Sequence, residues 1–190
     1  MVEEPDPGAV IDQALEIVRK TYQEINAMKN DITNIIQENY PRYKLVDDYS
    51  YGPNNLSLKE YQNAYYKFQK EEEDDPSIEN YIGVSIFFGT HDRSYKKISS
   101  LNGPEIWFSK MQTTNRSDNW NRWMLPNCLT TDERNNFINS ELRVGGHLNE
   151  YYYKSDEDDE EWKGTFIGFS VVQLTDKSFI KTEILEKLNL

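Results

Sequence analysis

Residues 149–174 read "NEYYYKSDEDDEEWKGTFIGFSVVQL", two aromatic, β-branched runs on either side of six consecutive acids, Asp156 to Glu161. Tyr, Phe, Ile and Val fit a pleated, half-buried surface. Crowded carboxylates repel one another by about 1 kcal/mol per pair at ~4 Å in water, so they stay where water screens them. The stretch therefore predicts a β-hairpin with the acids at its wet tip. The same charges discourage edge-to-edge association of a sheet.

An earlier stretch resembles it. "YYKFQKEEEDDPSIENYIGVSIFFGTHDRSY" (65–95) and "YYKSDEDDEEWKGTFIGFSVVQLTDKSF" (152–179) share Tyr-Tyr-Lys, an acid run, Ile-Gly-x-Ser and a closing Thr, Asp, basic residue, Ser and aromatic residue. An internal pseudo-repeat is one reading, and convergence in a chain rich in Tyr and acids is the other. Gly83 and Gly168 stand inside otherwise bulky strands, where glycine marks a close approach. Either the two open a notch in the sheet face, or a neighbouring aromatic covers each; the second reading is favoured.

Working outward, "YKLVDDYSYG" from Tyr43, "YIGVSIFFG" from Tyr81 and "EIWFSKM" from Glu105 are further strands, bounded by Gly, Pro and Asn turns. Ser57 with Glu60, and Thr130 with Glu133, resemble capping boxes. With Leu58, Tyr61, Tyr65 and Phe68 at helical spacing, the first predicts a helix over about 57–68. The second predicts a helix ending near Gly145 and Gly146. A last helix starts at Thr175, with Ile180, Ile184, Leu185 and Leu188 inward.

At the other end, Ile11, Ala14, Val18, Thr21, Ile25, Met28, Ile32 and Ile35 repeat with spacings of three and four, widened by Leu15, Tyr22 and Ile36. The pattern predicts one helix from about Pro7 to Asn39, roughly 50 Å long at ~1.5 Å per residue. Its stripe packs either on this chain's own sheet or against another molecule. The expected class is α+β: an antiparallel sheet of about five strands, the long helix, one or two inner helices and a C-terminal helix. Residues 1–39 form the amphipathic helix and 40–190 the α+β domain.

Charge narrows function. The net charge is −12, yet residues 81–127 carry +3, with six basic and three acidic side chains. An acidic bulk argues against coating duplex nucleic acid. No apolar run reaches the roughly 20 residues of a membrane span. An acidic start without an apolar core and a lone Cys128 fit a reducing, cytoplasmic setting.

Catalytic and metal motifs fail on spacing. A calcium loop begun at Asp156 places Glu161 where glycine is needed and Ile167 where the bidentate Glu belongs. Glu161-Trp162-Lys163 has the form of a nuclease Glu-x-Lys but begins its strand and lacks a distinctive upstream acid. His147 and Glu150, three apart on a strand, face opposite ways. No metal, cofactor or catalytic residue is assigned, and the reading leans away from an enzyme.

The basic segment is the candidate site. Arg93, Lys96, Lys97, Arg116 and Arg122 are interleaved with Trp107, Trp120 and Trp123. Guanidinium and indole groups together suit an interface hot spot or a flat anionic ligand. The first functional expectation is a non-catalytic protein acting through protein–protein contact, in the manner of an inhibitor, antitoxin or assembly module. A protein partner or self-association through the N-terminal helix would provide that contact. The alternative is an enzyme or sensor holding a small anionic ligand, such as a nucleotide, at 91–124.

Overall fold

The computed structural model describes residues 6–51, 61–87, 104–114, 143–154, 161–174 and 176–189. Helix α1 spans Pro7–Asn39. Asp6 caps it, its carboxylate accepting the Gly8 N–H at 3.0 Å, and Pro7 supplies a pre-set φ in the first turn. Six strands follow: β1 (Tyr43–Tyr51), β2 (Tyr61–Phe68), β3 (Glu79–Phe87), β4 (Glu105–Thr113), β5 (Leu148–Lys154) and β6 (Glu161–Ser170). They form one antiparallel sheet in the order β1-β2-β3-β4-β6-β5. A 3-10 turn at Val171–Gln173 leads to a C-terminal helix, α-helical over Lys177–Phe179 and π-helical over Ile180–Leu185. The class is α+β, with six strands among the described residues.

The sixth strand is β2, where the sequence predicts a helix. Tyr61, Tyr65 and Phe68 satisfy helical spacing, but Ala64, Tyr65 and Tyr66 are all buried, on alternating faces. An inner strand covered on both sides shows no polar–apolar alternation to mark it, and pairing with β1 and β3 overrides the local signal. Residues 57–60 of that prediction lie outside the described residues, as do 130–142 of the second predicted helix.

Each face of the sheet carries a core. On one side α1 contributes Ile25, Ile32, Ile35 and Ile36, packed with Tyr66, Ile82, Val84, Phe108 and Ile167 of the sheet and Ile180, Ile184, Leu185 and Leu188 of the C-terminal segment. All four predicted inward residues of that last segment are buried. Thr33 Oγ1 and Tyr66 Oη, 2.7 Å apart, pin α1 to β2. On the other side Tyr81, Trp107, Met111, Tyr151, Trp162 and Phe166 form a second cluster.

The glycines in the echo are covered. A Cβ on Gly168 would lie 2.6 Å from the Trp107 indole, and one on Gly83 would lie 2.6 Å from Ser109 Oγ and 3.2 Å from the Tyr65 ring. No notch forms. Tyr66 and Ile82 are cross-strand partners on the α1 face. Tyr153 pairs with Trp162, whereas Ile167 pairs with Leu148, on the opposite face. The two similar stretches thus place their matching residues at non-equivalent register positions.

The β2–β3 turn holds the first acid run outward. Glu71, Glu72, Glu73 and Asp75 are exposed, and Asp74 pairs with Arg42, whose guanidinium also stacks 4.1 Å over the Phe68 ring. At the base, Lys70 Nζ donates to Glu79 Oε1 at 2.8 Å, and Lys67 Nζ lies 3.2 Å from Oε2. Burial pushes the Glu79 carboxyl up, but the two ammonium groups outweigh it and hold the net value below the ordinary 4.5. A depressed carboxylate stabilises the fold above its unfolded pKa, and that contribution is lost as pH falls through the lower folded value. Denaturant midpoints measured against pH are expected to fall below about pH 4.5, with a shallower acid slope in Glu79→Gln.

At the opposite edge, Asn149 organises the approach to β5. Its Oδ1 accepts the Arg143 N–H at 2.8 Å, and Nδ2 donates toward the carbonyls of Arg143, His147 and Phe166 at 3.0, 3.1 and 3.3 Å. Asn149 is buried. Asn149→Ala strands these backbone groups, and a loss of about 2 kcal/mol in urea denaturation is expected.

Candidate interaction surface

Of the residues singled out in the basic segment, Arg93, Lys96, Lys97, Arg116, Trp120, Arg122 and Trp123 lie outside the described residues. Trp107 is fully buried, its indole N–H donated to Glu105 Oε2 at 3.1 Å beneath Gly168. That indole belongs to the core. Strand alternation sends Lys110 to the other face, beside Gln112.

There Lys110 lines a shallow groove of about 510 Å³ with Asn80, Gln112, Glu150, Lys163, Thr165 and Asn189. Burial pushes the Lys110 ammonium down from its ordinary value. Its Nζ donates to the Asn189 carbonyl. Lys163 Nζ lies 2.6 Å from Glu161 Oε1, and that bond raises its pKa. Both cations of the groove are therefore already partnered within the chain.

The other unusual surface is the first half of α1. Ile25 is the first buried residue of the helix. Residues 7–24 precede it, about 27 Å of helix at ~1.5 Å per residue. Val10, Ile11, Leu15 and Ile17 are 48, 60, 62 and 58% exposed. With a helical period of 3.6, Val10, Ile11, Ala14, Leu15, Ile17 and Val18 share one broad side. The charges Asp12, Glu16, Arg19 and Lys20 all fall outside it. Glu16 accepts two bonds from Arg19, at 2.7 and 2.8 Å, on that polar side. A stripe about 27 Å long on a helix about 10 Å wide covers on the order of 300 Å², comparable to the largest apolar patch that a monomer ordinarily exposes, which is often functional.

Comparison with protein-family models, curated proteins and solved structures returns no match.

The α1 stripe is continuous in sequence, so its spacing alone does not say which half the domain covers. That division comes from tertiary structure: Ile25, Ile32, Ile35 and Ile36 pack in the core on the sheet, whereas Val10, Ile11, Leu15 and Ile17 stay exposed. Among the described residues, no helix is long and apolar enough to cross a membrane.

Proposed function

We propose that this protein acts through protein–protein contact, with the exposed first half of α1 as the contact surface. The observation that carries this reading is the exposure of Val10, Ile11, Leu15 and Ile17 in a helix whose second half supplies the core. Apolar side chains on a helix are stabilising only when another surface removes them from water, at about 25 cal/mol per Å². The rival reading, a small anionic ligand at 91–124, rests on Arg93, Lys97, Arg116 and Arg122, which lie outside the described residues. The contact reading is the one with a described surface behind it.

The test is thiol labelling of the full chain in a Cys128→Ser background, comparing Leu15→Cys on the stripe with Gln13→Cys off it, at nanomolar protein. Equal rates at both positions are expected. Strong protection of position 15 at the lowest concentration means that the chain covers its own stripe, and overturns the reading.

A further inference from the structure

We infer that the groove beside Lys110 binds a small zwitterion, an amino acid whose carboxylate faces Lys110 and whose ammonium faces Glu150. The groove shares no residue with the exposed half of α1, so the two surfaces stand or fall separately.

The strand ladder brings the two charges together. Lys110 of β4 and Glu150 of β5 are both cross-strand partners of Thr165 on β6, one on each side of it. Cross-strand partners share a face, so all three stand on the α1 side of the sheet, where Lys110 also pairs with Ile82 of that core. Here the apolar core ends. Phe108 and Ile167, the next pair along the same two strands, are fully buried, whereas Lys110 and Thr165 are half-buried and Glu150 is exposed.

The chain neutralises neither charge. Lys110 Nζ donates to the Asn189 carbonyl, a neutral acceptor, which leaves two of its three N–H donors unused among the described residues. Burial pushes its ammonium down and no carboxylate opposes that. Glu150 has no hydrogen bond or ion pair among the described residues. Lys163 is the contrast, since Glu161 at 2.6 Å already compensates it.

Strand spacing sets the size of the ligand. Antiparallel strands lie about 4.8 Å apart and their side chains stand roughly perpendicular to the sheet, so the two charged groups are roughly 9–10 Å apart across Thr165. That is too far for them to pair with each other. Charge-assisted hydrogen bonds of about 2.8 Å at each end leave roughly 4 Å, close to the span from ammonium to carboxylate in an amino acid.

Charge then decides between ligand classes. An anion meets Lys110 but also Glu150 and the field of a chain carrying −12. A cation is drawn by that field but meets Lys110. A neutral polyol compensates neither group. A zwitterion compensates both and has no net charge to be repelled. Between the two ends the Thr165 hydroxyl is a donor for the carboxylate, and Tyr152, 39% exposed in the same lining, offers its ring to an apolar side chain.

Both ionic contacts are partly exposed, so the expected dissociation constant is on the order of 1–10 mM. Amide NMR of the full chain, titrated with leucine to about 50 mM, covers that range. The resonances of Lys110, Glu150 and Thr165 are expected to move and saturate, while those of residues 10–17 stay in place. N-acetylleucine and leucinamide each lack one charge and are expected to bind about fivefold more weakly. Glu150→Gln, at an exposed position, is expected to leave the denaturation midpoint unchanged and to weaken leucine about fivefold without weakening N-acetylleucine. Lys110→Gln is expected to weaken leucine without weakening leucinamide. Absence of a saturable shift at these residues overturns the site. N-acetylleucine or inorganic phosphate binding as tightly as leucine makes the groove an anion site and overturns the zwitterion, and leucinamide binding as tightly makes it a cation site with the same consequence.

Discussion

Gly168→Ala is expected to destabilise the fold by about 3 kcal/mol, read as a shift in urea midpoint. Alanine in a strand ordinarily gains about 0.5–1 kcal/mol over glycine from the unfolded chain. Here the new methyl lies 2.6–2.7 Å from three atoms of the Trp107 ring. That ring has nowhere to go: it is fully buried, lies on the strand paired with β6, and is tethered to Glu105. Clash exceeds entropy, and the sign is destabilising. Trp107→Leu opens the space, so the pair is expected to couple, with the double variant more stable than the sum of the single losses by at least about 1 kcal/mol. Additive losses would sink the claim that glycine is there to admit the indole.

The second large effect contrasts two isoleucines at the same heptad position of α1. Ile32 is fully buried between helix and sheet, whereas Ile11 is 60% exposed. Ile32→Ala removes three carbons from a packed site and is expected to cost about 2–4 kcal/mol. Ile11→Ala is expected to change the denaturation midpoint by less than about 0.5 kcal/mol at low protein concentration. The proposed function reverses the order, since Ile11 lies on the proposed contact surface and Ile32 in the core. Equal losses at the two positions would mean that the first half of α1 is packed by its own chain.

Much of the fold was legible because its signals are local. Gly, Pro and Asn residues punctuate the sequence between strands, and Pro7 and Pro41 bracket the helix. The inward set of the last helix followed from spacing alone. β2 was not legible, since a tyrosine-rich strand buried on both faces imitates a helical stripe. Trp107 was misread as surface for a related reason. Beside Lys110 it looks like part of a basic, aromatic patch, but residues three apart on a strand face opposite ways, and burial of each face is a tertiary fact. The exposed half of α1 belongs to the same class. Its apolar stripe is plain in sequence, but what covers it depends on how far the sheet reaches.

The strand order carries a cost in time. β4 is flanked by β3, made just before it, and by β6, which begins at Glu161, long after β4 ends at Thr113. At about 5–20 residues per second, a nascent chain waits several seconds with the far side of β4 unzipped on the ribosome. A cell making this protein quickly must shield that open hydrogen-bonding edge until the last hairpin emerges.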